Sequence, residues 1–233
     1  MTDGTRDDGH RLFVSPHLDD AVFGCGEWIA SAQQATVVTV FAGFAPRDAA
    51  LTGWDRECGF DVADDVVAVR RDEDRAALDM LGGKSVWLDF RDDQYGEPSG
   101  MPALANALAG VVEREAAAAI HVPLGLFHAD HHRASDASLM LFDRFASLAW
   151  HVYADAIYRR IPGATDARMR ALATRDFAFD RESPALAADA AARKREAVRC
   201  YRSQFRALRT RPSHDDVFAP ETHWRLYRRK GDR

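Results

Sequence analysis

The chain has 233 residues, of which 47% are apolar and 29% charged, with a formal net charge of −5. That composition is globular rather than disordered, and the length suits one domain with a sizeable core. The negative balance gives no electrostatic reason to expect nucleic acid, and no apolar run approaches the ~18 residues of a membrane span.

The N-terminal MTDGTRDDGH is polar and lacks the apolar stretch of a signal peptide. It is expected to be a disordered tail over residues 1–10, with a single domain over 11–233. Cys25, Cys58 and Cys200 are odd in number, far apart and form no CxxC pair, which fits a cytoplasmic protein with reduced thiols. Leu12 to Val14 is a short apolar strand. Ala21 to Gln34 has helical spacing. Thr36 to Phe41 (TVVTVF) is β-branched and reads as a second strand. A helix is expected over 64–81, stopped by Gly82-Gly83. Ser85 to Phe90 is a third strand, 101–118 an Ala-rich helix, Ala119 to Pro123 a fourth strand, and 133–148 another helix. The C-terminal third is less regular. YADAIYRR (153–160) suits a strand and its exit, 186–208 a helix, and His223 to Arg229 a last strand. Alternating strands and helices predict an α/β fold: a Rossmann-like, mostly parallel sheet with flanking helices.

Ligands of such sheets bind beyond the C-terminal ends of the strands. Two polar clusters sit there. SPHLDDAV (15–22) follows the first strand with His17, Asp19 and Asp20. PLGLFHADHH (123–132) follows the fourth with His128, Asp130, His131 and His132. Imidazole and carboxylate together suit a borderline divalent metal such as zinc, and three ligands with one open position is the catalytic pattern. His17 and Asp20 are three apart, as are His128 and His131, so each pair can face one ion. Neighbouring side chains diverge, so only one of Asp19 and Asp20 is expected to be a ligand. Between the strands, the long connections 43–61 and 91–101 carry Trp54, Arg56, Asp92 and Tyr95, and long loops on an α/β scaffold carry function.

SPHLDD resembles the (A/S)HPDD motif of the PIG-L/LmbE-type N-acetylglucosaminyl deacetylases, and HADH resembles their HPDH motif. Supporting similarities are Arg70-Arg71-Asp72-Glu73 before Ala77 and Leu81-Gly82, Asp92 after Phe90-Arg91, and Lys194 with Tyr201-Arg202-Ser203-Gln204. The resemblance spans residues 12–204. It implies a zinc-dependent hydrolase (another divalent transition metal being admissible) that removes the acetyl group from an N-acetylglucosamine-type amino sugar or its conjugate. It implies that His17, Asp20 and His131 hold the metal, and that Asp19 is the general base toward water at the metal. His128 would be the nearby acid or electrostatic group. Asp130 would orient a histidine, and Arg70 and Asp92 would face the substrate. The implied partner is a small amino-sugar molecule, and such relatives are often homo-oligomers.

The chain departs from the pattern at Leu18 and Ala129, where prolines are common, at Ala21, where glutamate is frequent, and at Leu126, where some relatives place a polar or aromatic residue. None removes a ligand, but Leu126 leaves the substrate open. A different small N-acyl substrate, or a non-catalytic metal- or sugar-binding relative, are the competing readings. So are plainer residue roles. Asp19 could cap the following helix, Arg70 could pair with Asp74, and Trp54 and Tyr95 could seal loops rather than stack on a sugar. His121, His151, His214 and His223 read as structural or exposed, His132 as an exposed helix-start residue, and Cys25 as packing.

Overall fold

A computed structural model describes residues 9–46, 48–62, 65–211 and 214–229. Residues 1–8 of the expected tail lie outside the described residues. His10 is anchored, with Nδ1 2.8 Å from the Glu115 carbonyl oxygen and Nε2 2.9 Å from Thr36 Oγ1.

In chain order the elements are β1 (Arg11–Ser15), α1 (Asp20–Ser31), β2 (Ala35–Thr39), α2 (Gly53–Glu57), α3 (Val66–Leu81), β3 (Gly83–Trp87), α4 (Met101–Glu115), β4 (Ala119–Pro123) and α5 (Ala129–Leu139). They continue with β5 (Ala149–Tyr153), α6 (Ala164–Ala173), β6 (Phe177–Glu182), α7 (Ala190–Val198), α8 (Arg202–Leu208) and β7 (His223–Arg228). The sheet has seven strands in the order β3-β2-β1-β4-β5-β7-β6. Strands β1 to β5 pair in parallel, and β7 runs antiparallel between β5 and β6. The α/β, mostly parallel architecture expected from the alternation is the one found.

Strand β1 shows why both faces are covered. Leu12 and Val14 point to one side with Val38, Ile120 and Val122, under α4 and α5. Phe13 points to the other with Val37, under Val22, Trp28 and Ile29 of α1 and Leu78 of α3. Each such aliphatic side chain contributes about 1.5–3 kcal/mol when fully buried. Helix α3 stops where Gly82 adopts φ 72°, a left-handed cap that returns its N–H to the carbonyls of Leu78 and Asp79.

Strand order makes β1 the reversal point. Its neighbours are β2 on one side and β4 on the other, so the two crossovers diverge and open a crevice at the strand ends. The segments leaving β1 and β4 are SPHLDD and PLGLFHADHH.

The C-terminal third differs from the sequence expectation. Strand β5 ends at Tyr153 instead of starting there. Helix α6 and strand β6 were not anticipated. The expected helix 186–208 is two helices, broken at Tyr201, whose buried hydroxyl donates to Asp74 Oδ1 at 2.8 Å. Helix α5 covers 129–139 rather than 133–148, because His128 caps it and so starts it four residues before the expected position. No helix among the described residues is long and apolar enough to cross a membrane.

Candidate active site

The turn after β1 is organised by Ser15. Its hydroxyl donates to the His17 carbonyl at 2.6 Å and accepts from the Ala21 N–H at 2.9 Å. Ser15 therefore satisfies an N–H of the first turn of α1, which Asp19 does not: Asp19 occupies the cap position but makes no capping bond. The Asp19 side chain has no hydrogen-bond partner among the described residues and opens into the cavity below.

Three side chains converge beside it. Asp20 Oδ2 lies 3.1 Å from His17 Nδ1 and 3.2 Å from His131 Nε2. One ligand atom from each of the three lies within 4.8 Å of the others. A tetrahedral ion with bonds of about 2.0–2.1 Å needs its ligands roughly 3.3 Å apart, so this donor set fits a divalent metal. The charge also fits. Burial acts to lower the His17 pKa, yet Asp92, Asp130 and Asp20 outweigh it and hold it well above the ordinary value. His131 behaves likewise, with Asp20 and Asp155 raising it to about 9 against burial. Protons on these rings balance a carboxylate surplus that a dication would neutralise.

The far side of each ring is occupied. His17 Nε2 lies 3.3 Å from Asp130 Oδ2 and 3.7 Å from Asp92 Oδ2. Asp130 is buried and also accepts from the Asp93 N–H at 3.0 Å. His131 Nδ1 lies 2.5 Å from Asp155 Oδ1, and the other Asp155 oxygen accepts from the Gly125 N–H at 2.9 Å. Gly125 has φ 83°, and a Cβ there would stand 2.7 Å from Ser135 Cβ, so only glycine allows the PLGL turn to press this close to α5. His128 caps α5: its Nδ1 accepts from the Asp130 N–H at 3.3 Å. That leaves Nε2 to carry the ring proton, and it faces Asp93 Oδ1 at 3.9 Å.

Burial and the adjacent Asp20 push the Asp19 carboxyl well above the usual carboxylate range, while His17, Arg70 and His131 pull it down. Arg70 sits in the cavity wall and donates to Asp55 Oδ1 at 3.0 Å. Tyr95 donates to the same oxygen at 2.9 Å. Arg70 does not pair with Asp74, which instead accepts from Trp87 Nε1 at 2.7 Å and from Tyr201. Trp54 and Tyr95 both line the cavity, and Trp54 Nε1 is held by Gln204 Oε1 at 3.1 Å.

The cavity has a volume of 560 Å³. It brings together every site residue singled out in the sequence: His17, Asp19, Asp20, Arg70, Asp92, His128 and His131 line it, with Asp130 buried just behind. Asp155 escaped the sequence reading because it stands alone after β5, with no motif around it. Phe127 and Tyr158, also in the lining, were missed because single aromatics read as core.

The family model for GlcNAc-PI de-N-acetylases (PIG-L) matches residues 12–142, more than half the chain. This chain belongs to the PIG-L family. It is thus an enzyme of the amide-hydrolysing deacetylase class. No curated protein matches the sequence. Among solved structures, a triple mutant of a deacetylase of the teicoplanin biosynthetic pathway is 25% identical, with a TM-score of 0.80, over 96% of this chain and 100% of that one. The zinc-inhibited form of teicoplanin deacetylase Orf2 is 21% identical, with a TM-score of 0.80 over the same shares. The N,N'-diacetylchitobiose deacetylase from Pyrococcus horikoshii is 17% identical, with a TM-score of 0.62, over 97% of this chain and 88% of that one. These last two likenesses establish the PIG-L fold.

Proposed function

We propose that this PIG-L protein is a zinc-dependent hydrolase that removes the acetyl group from an N-acetylated amino sugar or its conjugate. The observation that carries the reading is the convergence of His17 Nδ1 and His131 Nε2 on Asp20 Oδ2 beside a partnerless Asp19 at the cavity wall. The teicoplanin and diacetylchitobiose deacetylases among the structural neighbours support an amino-sugar substrate.

His17, Asp20 and His131 would hold the ion. When bound, a zinc ion supplies Lewis acidity, lowering the pKa of water and polarising the amide carbonyl. Asp19 accepts the proton of the attacking water, a task helped by burial and Asp20, which raise its carboxyl above the ordinary carboxylate range. The water oxygen adds to the carbonyl carbon, and the carbonyl oxygen gains charge. His128 donates from Nε2 toward that charge, its Nδ1 being engaged in capping α5. The C–N bond then breaks, and Asp19, protonated in the first step, is an acid able to protonate the amine that leaves. Asp130 and Asp155 fix the His17 and His131 rings from behind, the second layer that metal sites need. Arg70 and Asp92 border the substrate. All three cysteines carry free thiols, which supports a cytoplasmic setting.

The test is acetate release by zinc-loaded protein from free and conjugated N-acetylglucosamine, with Asp19→Asn as control. Release that vanishes in the control is the expected result. Full activity of metal-free protein would overturn the reading. Acyl groups longer than acetyl, offered in parallel, separate a deacetylase from an amidase of broader range.

A further inference from the structure

Two non-glycine residues with positive φ line the cavity: Phe127 at 61° and Ile157 at 62°. Each is the centre of a three-residue turn. The His128 N–H returns to the Leu126 carbonyl, and the Tyr158 N–H to the Ala156 carbonyl, both at 2.7 Å. The Ile157 dihedrals of 62° and −47° are those of the strained γ-turn, and for a β-branched residue they are a true outlier. Such strain persists only where the surroundings over-determine it, and it gathers at ligand clamps and active sites. Here the surroundings are visible. The Ile157 N–H donates to Asp216 Oδ2 at 2.8 Å, and buried Asp216 is gripped by Arg159 at 2.7 Å and Arg160 at 2.6 Å.

The two turns present one thing. The Phe127 and Tyr158 rings stand 5.4 Å apart at 31°, and the Tyr158 ring meets His131 edge-on at 5.0 Å. Phe127 is 69% exposed, so the fold spends backbone strain to hold an apolar ring in water at the cavity mouth. The Tyr158 hydroxyl has no hydrogen-bond partner among the described residues. Asp19, Asp20, Asp92 and Asp93 line the cavity. Its two lining arginines among the described residues are paired, Arg70 with Asp55 at 3.0 Å and Arg211 with Glu57 at 2.8 Å. Away from the ion-binding side chains, a phosphate would have to compete with Asp55 and Glu57 for the two lining arginines, whereas an uncharged ring meets a matching face.

We propose that Phe127 and Tyr158 form a platform that grips an uncharged apolar or aromatic group attached to the amino sugar, and that the cavity selects such conjugates over phosphate-bearing ones. This rests on the deacetylase reading above.

The experiment compares 4-nitrophenyl N-acetyl-β-glucosaminide, free N-acetylglucosamine and its 1-phosphate as substrates of the zinc-loaded full chain. The aryl glycoside is expected to exceed the free sugar in kcat/KM by about tenfold, through KM, with the phosphate poorest. Phe127→Gly, which accepts the positive φ while deleting the ring, is expected to shrink the aryl preference to within about twofold. Its melting temperature checks that it folds. An unchanged aryl preference in Phe127→Gly, or a preference for the phosphate, overturns the proposal. If the wild type releases acetate from none of the three, the deacetylase reading fails instead. Calorimetric titration of the aryl glycoside then decides. Binding weakened by Phe127→Gly upholds the platform, and equal or no binding in both proteins overturns it.

Discussion

His131 is held between two carboxylates, with Asp155 Oδ1 2.5 Å from its Nδ1 and Asp20 Oδ2 3.2 Å from its Nε2. Asp155 is fully buried and comes from the exit of β5, far in sequence from either motif. By accepting from Nδ1–H, it turns the Nε2 lone pair toward Asp20 and His17 and raises the basicity of the ring. Asp155→Asn is expected to weaken zinc about 10–100-fold in a chelator competition while the protein stays folded. Unchanged affinity would mean that Asp155 only braces Gly125.

Asp19 differs from its neighbour in having no hydrogen-bond partner among the described residues. Asp19→Asn removes a base without touching Asp20, His17 or His131. Zinc content measured by elemental analysis should stay at the wild-type level, while kcat for acetate release falls by about 10²-fold or more. Loss of zinc together with activity would reassign Asp19 to the ligand set.

Arg70 separates a structural from a substrate role. It is buried with Asp55, and Tyr95 and the Thr52 N–H complete the carboxylate's partners. Arg70→Met leaves Asp55 charged and buried, which is expected to cost about 3–5 kcal/mol in denaturant unfolding. Arg70→Met with Asp55→Asn should recover much of that. If the single variant is as stable as wild type yet binds substrate poorly, Arg70 acts on the substrate alone.

A stack of rings crosses the face of the sheet under α1. His121 lies 4.4 Å from Phe13 and 4.4 Å from His151, and Trp28 packs on His121 and His223. Both nitrogens of His121 are buried without a hydrogen-bond partner among the described residues. Burial holds the His121 pKa well below the ordinary value and, despite Glu221, lowers that of His223. With folded pKa values below unfolded ones, the unfolded chain binds more protons as pH falls. Stability is therefore full above about 6.5 and is lost below it, at no more than about 1.4 kcal/mol per pH unit for a histidine that stays neutral in the fold. His121→Phe should flatten the difference profile from pH 7 to 5 in equilibrium unfolding. A variant that keeps the wild-type slope would exonerate this ring.

The pattern of residues alone determined the sheet's parallel part and the polar clusters that gather at its strand ends. β-branched runs such as TVVTVF and helical spacing over 64–81 are local signals, because strand and helix bury their faces at periods of two and 3.6. His17, Asp19, Asp20, His128, Asp130 and His131 were legible because each cluster is contiguous in sequence and lies at a strand end, where an α/β fold must gather them. Tertiary structure decided the rest. Strand β6 carries the polar run Asp180-Arg181-Glu182, with Asp180 and Arg181 exposed, and exists because β7 pairs with it. The helix over 186–208 breaks because the Tyr201 ring is buried against α1 and its hydroxyl reaches Asp74, 127 residues away. Asp155 and Tyr158 carry no motif, Phe127 gives no signal of its own within PLGLFHADHH, and their places follow from β5 lying beside β4, which sets the turns after both strands against His131. A side chain's partner across the sheet is fixed by strand order, and strand order is a non-local property that no window of the sequence contains.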